Sequence, residues 1–92
     1  MSDASLKELR KIIDDIDSQI VALLNERART ALEVGKVKAG IRQEAYDPAR
    51  ERAVLDKIDR LNDGPLSKGA VEEIYATILT ACREIQIEKR QD

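Results

Sequence analysis

The chain of 92 residues has no histidine, no tryptophan and no phenylalanine, and it carries a single cysteine, Cys82. Without histidine the usual zinc and iron ligand sets are missing, and so are the Ser-His-acid and Cys-His nucleophile designs. One cysteine excludes a disulfide within the chain. Only two aromatic residues, Tyr46 and Tyr75, are present, so any core must be built from Leu, Ile, Val and Ala. That composition favours helices packed on helices. No apolar run approaches the ~18 residues of a membrane span, and residues Met1 to Ser5 show neither the basic nor the apolar region of a leader. Basic residues number 16 against 18 acidic ones, a formal net charge of -2, and they are spread rather than clustered. A nucleic-acid surface, which needs a basic face and usually stacking aromatics, is therefore not expected. These absences predict a soluble, cytoplasmic protein of one domain, residues 1–92. An enzyme made from it would work by positioning and electrostatics.

What the chain has is helical period. Leu6, Leu9, Ile13, Ile16, Ile20 and Leu23 follow one another in steps of three or four residues, the spacing of a helix face that packs against another helix. The same face continues through Arg27, Ala31, Val34 and Lys38. Burying an unpaired cation costs several kcal/mol, so two on one stripe call for acids or an anionic ligand to answer them. Taken singly, each has a plainer reading as a side chain that snorkels to the surface. Arg10, one position off the stripe, is a candidate third.

Ser5 followed by Glu8 reads as a capping box, and the period then runs to about Ile41. Gly35 and Gly40 are its weak points, each costing roughly 1 kcal/mol against alanine; Gly35 suits either a close backbone approach or plain packing tolerance. A break is expected over Arg42 to Tyr46. Asp47 as N-cap and Pro48 at the first helical position start a second helix, which runs to about Leu61 with Val54, Leu55, Ile58 and Leu61 on its apolar face. Asn62 to Pro65 is a loop by composition. Ser67 caps a third helix from about Lys68 to Lys89, with Val71, Ile74, Tyr75, Ile78, Leu79, Cys82 and Ile85 facing inward.

The first helix, about 36 residues, would be roughly 54 Å long, whereas a compact globule of this chain length is only about 30 Å across. Its own chain cannot cover it. The expected fold is all-α, with one very long and two shorter helices forming an intertwined antiparallel homodimer. Arg10 and Arg27 stand about 25 Å apart along one helix, too far to grip one small molecule. In an antiparallel pair, Arg10 of one chain approaches the Arg27 to Lys38 segment of the other, and symmetry makes two such sites.

Leu9-Arg10 with Ile13 and Asp17, Leu23-Leu24-Asn25-Glu26-Arg27, Val34-Gly35-Lys36-Val37-Lys38, Asp47-Pro48-Ala49-Arg50-Glu51, and Ile74-Tyr75 with Cys82 and Gln86 form an ordered set across nearly the whole chain. In this the sequence resembles the all-helical chorismate mutase family. The resemblance implies an isomerase that rearranges chorismate to prephenate, the branch step toward phenylalanine and tyrosine. The reaction is pericyclic and unimolecular, and needs no nucleophile, no metal and no cofactor.

Carried over by residue, the resemblance implies that Arg27 and the partner's Arg10 bind the substrate's two carboxylates. Lys38 would contact a carboxylate and the ether oxygen, and Gln86 would donate to that same oxygen, both answering charge that develops in the transition state. Glu51 and the Asp47 segment would receive the ring hydroxyl, and Arg50 would add positive potential or brace Asp47. The family more often has serine at the position of Cys82, whose thiol is a weaker donor toward a carboxylate. Plainer readings stand beside these: Asp47 as a helix cap, Arg50 and Glu51 as a solvated face, Cys82 as a packing residue. Gln86 is harder to read so, because a buried amide wants partners. Lys36 and Arg29 are expected to face solvent. Two rival functions remain open to the sequence: a lyase releasing pyruvate from isochorismate, and a helical dimerisation module without catalysis. The charged end, Glu88 to Asp92, suits a terminus or a linker.

Overall fold

A computed structural model describes residues 3–91 of the chain, so Met1 and Ser2, where no leader pattern is expected, and Asp92 of the charged end lie outside the described residues. Three helices follow in order, α1 (Asp3–Gly40), α2 (Pro48–Leu61) and α3 (Lys68–Gln91). Helix α1 has 38 residues, about 57 Å at 1.5 Å per residue, and it sets the long dimension of a molecule measuring 59 × 28 × 15 Å. It begins two residues before the expected cap. Ser5 therefore sits within the first turn, and Asp3 supplies the acid that suits the positive end of the helix dipole.

The break after α1 is a Schellman motif. Gln43 N–H donates to the Lys38 carbonyl at 2.7 Å and Arg42 N–H to that of Ala39 at 3.1 Å. Arg42 holds the left-handed position, at φ 59°, which glycine usually fills because it has no Cβ to clash. Asp47 then caps α2 as expected: its Oδ1 accepts the Arg50 N–H at 3.0 Å, with Pro48 in the first turn. Ser67 caps α3 through its Oγ, which accepts the Ala70 N–H at 3.1 Å.

Helix α3 packs against the C-terminal half of α1 on one side and against α2 on the other. Among the described residues the buried ones are few: Gly35, Ala45, Leu79, Cys82 and Gln86. Val54, Leu55 and Ile58 of α2 and Val71, Tyr75, Ile78 and Ile85 of α3 are half-buried, on the faces their spacing predicts. Leu61 and Ile74 depart from expectation and are exposed. Leu61 is the last residue of α2, where the chain turns into the loop that leads to α3. Ile74 lies about 80° around α3 from Cys82, at the edge of the packed face.

Among the described residues no large side chain is fully buried, and Leu6, Leu9, Ile13, Ile16, Ile20 and Leu23 all stand exposed along α1. The chain exposes 7443 Å², where a compact monomer of 10.3 kDa exposes about 5,400 Å². Its radius of gyration is 17.0 Å against about 12 Å for a compact chain of this length. Half of α1 thus presents an apolar face that this chain does not cover. No helix among the described residues is long and apolar enough to cross a membrane.

Candidate active site

A cleft of about 310 Å³ opens where α1, the 41–47 loop, α2 and α3 converge. Helical period brings Arg27, Ala31, Val34 and Lys38 to it from α1, as the stripe predicts. The start of α2 contributes Asp47, Arg50 and Glu51, and α3 contributes Cys82, Arg83 and Gln86. Arg27 and Lys38 are half-buried rather than snorkelled out. Lys36 and Arg29 face solvent as expected, Lys36 pairing with Glu33 at 3.2 Å.

Lys38 is tied to the loop that follows its helix. Its Nζ donates to the Ala45 carbonyl at 3.2 Å, which leaves two of the ammonium's three donors for a ligand. Gln86 is buried, and its Nε2 donates to the Ala31 carbonyl at 2.8 Å. One N–H of the amide remains, while Oε1 is buried without a hydrogen-bond partner. The close approach expected at Gly35 is present, since a β-carbon there would stand 3.0 Å from Gln86 Cγ. Cys82 is buried at the cleft wall. Asp47 serves as the α2 cap, and the part of Arg50 that meets it is the backbone N–H.

Over residues 9–87 the chain matches the family described as chorismate mutase type II. The chain belongs to that family. It is 43% identical over 85 residues to the bifunctional chorismate mutase/prephenate dehydratase of Aquifex aeolicus, covering 88% of this chain and 24% of that protein. Against the bifunctional enzyme of the same description from Stutzerimonas stutzeri it is 39% identical over 92 residues, covering 94% of this chain and 25% of the other. The chain thus spans about a quarter of the length of these bifunctional relatives. The solved structure of chorismate mutase (Form II) from Thermus thermophilus superposes with a TM-score of 0.89 at 30% identity, covering 96% of this chain and 98% of that one.

Of the site residues that resemblance to the family suggested, the cleft gathers Arg27, Lys38, Asp47, Arg50, Glu51, Cys82 and Gln86. Arg10 is not among them. It lies on the N-terminal half of α1 beside Asp3, Leu6 and Lys7, at the other end of the molecule.

Arg83 is the residue that sequence reasoning missed. Its Nη1 donates to both oxygens of Glu51, at 2.8 and 2.6 Å, and its guanidinium stacks over the Tyr46 ring at 4.6 Å. The hydrogen bonds to Glu51 hold the guanidinium proton more tightly than usual, while burial works the other way. No sequence signal could have found the pair, because Arg83 falls beside the apolar face of α3 and its partner is 32 residues away. With Glu51 neutralised by Arg83, the cleft keeps Arg27, Lys38 and Arg50 against Asp47. Its balance suits an anion.

Proposed function

We propose that the chain catalyses the rearrangement of chorismate to prephenate, in the synthesis of phenylalanine and tyrosine, as an antiparallel homodimer. The observation that carries this reading is the convergence of Arg27, Lys38 and Gln86 on one cleft that is small enough for a single metabolite and has an excess of cations. Family membership and the full-length likeness to a solved chorismate mutase support it.

The chemistry asks little beyond geometry. Chorismate must be held in its compact, diaxial form so that the enolpyruvyl carbon meets the ring, and the ether oxygen gains negative charge as its bond breaks. Arg27 holds one carboxylate from the floor of the cleft. The partner's Arg10 holds the second, carried there by pairing of the exposed apolar halves of two α1 helices. Lys38 and the free N–H of Gln86 meet the ether oxygen, each already oriented by its bond to a backbone carbonyl, so that they act with little reorganisation. Glu51 accepts the ring hydroxyl. The surface excess of roughly 2,000 Å² per chain over a compact monomer is the size of a permanent homodimer's interface.

Chorismate consumption by the purified chain, followed spectroscopically beside a sample without protein, tests the activity. Loss far above the uncatalysed rate, with prephenate as product, is the expected result. Pyruvate release would instead mark the lyase, and no loss at all would end the catalytic reading.

A further inference from the structure

We propose that Arg83 is a positioning residue for Glu51, and through it for recognition of the substrate's ring hydroxyl. This inference rests on the reading of the cleft as the chorismate site. Glu51 stands in the first turn of α2, and a free glutamate there, flanked by the exposed Arg50 and Arg52, would sample many rotamers in water. Arg83 restricts it. The pair is about three-quarters buried, with side-chain exposures of 26% and 24%, so the contact is better shielded from solvent than a surface ion pair.

The geometry leaves Glu51 able to act. Nη1 takes one lone pair on each carboxylate oxygen, and a carboxylate offers about four such sites. The remaining ones are free to accept a hydroxyl from the cleft that both residues line. Arg83 is itself held from behind by Tyr46 at 4.6 Å, so the pin that orients Glu51 is anchored to the same loop whose Ala45 carbonyl receives Lys38. The ion pair also prevents two errors. An unneutralised Glu51 would repel a dianion, and an unpaired Arg83 would compete with Arg27 for its carboxylates.

Because a single nitrogen makes both contacts, an ammonium can replace it, and this separates positioning from packing. Turnover of chorismate is measured for wild type, Arg83→Met, Arg83→Lys, Glu51→Ala and the Glu51→Ala/Arg83→Met double variant, each checked for folding by thermal melting. Loss of a hydroxyl contact made equally in ground and transition states predicts that Arg83→Met raises KM about tenfold while kcat stays within about threefold. Arg83→Lys should restore most of the loss. In the Glu51→Ala background, adding Arg83→Met should change KM by less than about twofold, because the acceptor it positions is gone. An equal effect of Arg83→Met with and without Glu51, or a failure of lysine to rescue a folded protein, overturns the proposal while leaving the activity standing. Absence of turnover by the wild-type chain overturns both.

Discussion

Gln86 approaches Gly35 so closely that a β-carbon at position 35 would stand 3.0 Å from its Cγ. The glycine therefore seats the amide: α3 comes near enough to α1 for Gln86 Nε2 to reach the Ala31 carbonyl. The cost of a glycine inside α1 is offset by the placement of a cleft residue.

Gly35→Ala separates that role from stability. Alanine gains about 1 kcal/mol of helix propensity, and the crowding it introduces costs about 1–3 kcal/mol, so the net loss of unfolding free energy should not exceed about 2 kcal/mol. Displacing Gln86 should still lower kcat by about tenfold or more. Paired measurements of chemical denaturation and turnover test this, and an unchanged kcat would contradict it.

Lys38→Ala should act on the reaction more than on the fold. Its bond to the Ala45 carbonyl is worth about 1 kcal/mol, whereas a donor that answers charge formed in the transition state is worth about 10²–10³ in kcat. With Arg27 in its proposed role as a carboxylate contact made already in the ground state, Arg27→Ala should raise KM as well. A Lys38→Ala enzyme altered in KM alone would assign the developing charge to another group.

The exposed face of α1 predicts a dimer that one charge can break. Sedimentation of the wild type should give twice the 10.3 kDa of one chain, and Ile16→Glu should give monomers whose kcat/KM is greatly reduced by loss of the proposed contact from the partner's Arg10. If the chain acts alone, a substitution at this exposed position should stay within about 0.5 kcal/mol and leave activity intact.

A carboxylate pair away from the cleft, Glu72 with Asp59, makes stability depend on pH. Glu72 holds its proton above the ordinary 4.5, chiefly through a hydrogen bond with Asp59, then through burial and the Asp59 charge, against the pull of Lys68 and Arg52. Asp59 Oδ1 is buried without a partner. A carboxyl with a raised folded-state pKa favours folding most fully below its unfolded value, and that contribution fades as pH rises through the folded one. Asp59→Asn removes the repulsion. Its Tm should therefore exceed that of the wild type at pH 7.5, with the gap narrowing toward pH 4, and an equal gap at both pH values would refute the linkage.

Much of the fold was legible because helix signals are local. Asp47-Pro48 and Ser67 specify their caps within three residues, and the stripe from Leu6 to Lys38 repeats each three or four. Seven of the residues that resemblance to the family implied, Arg27, Lys38, Asp47, Arg50, Glu51, Cys82 and Gln86, line one cleft. The start of α1 and the exposure of Leu61 and Ile74 were not legible, since helix ends and the limits of a packed face depend on neighbours.

The sequence by itself determined three helices, their loops and the two cations placed where a core should be, because period and capping are properties of adjacent residues. Only the tertiary structure decided what those groups touch. Gln86 meets Ala31 across 55 residues and Arg83 meets Glu51 across 32, distances over which no periodicity carries information. Such pairs depend on how α3 settles between α1 and α2, and that is set by packing at points such as Gly35.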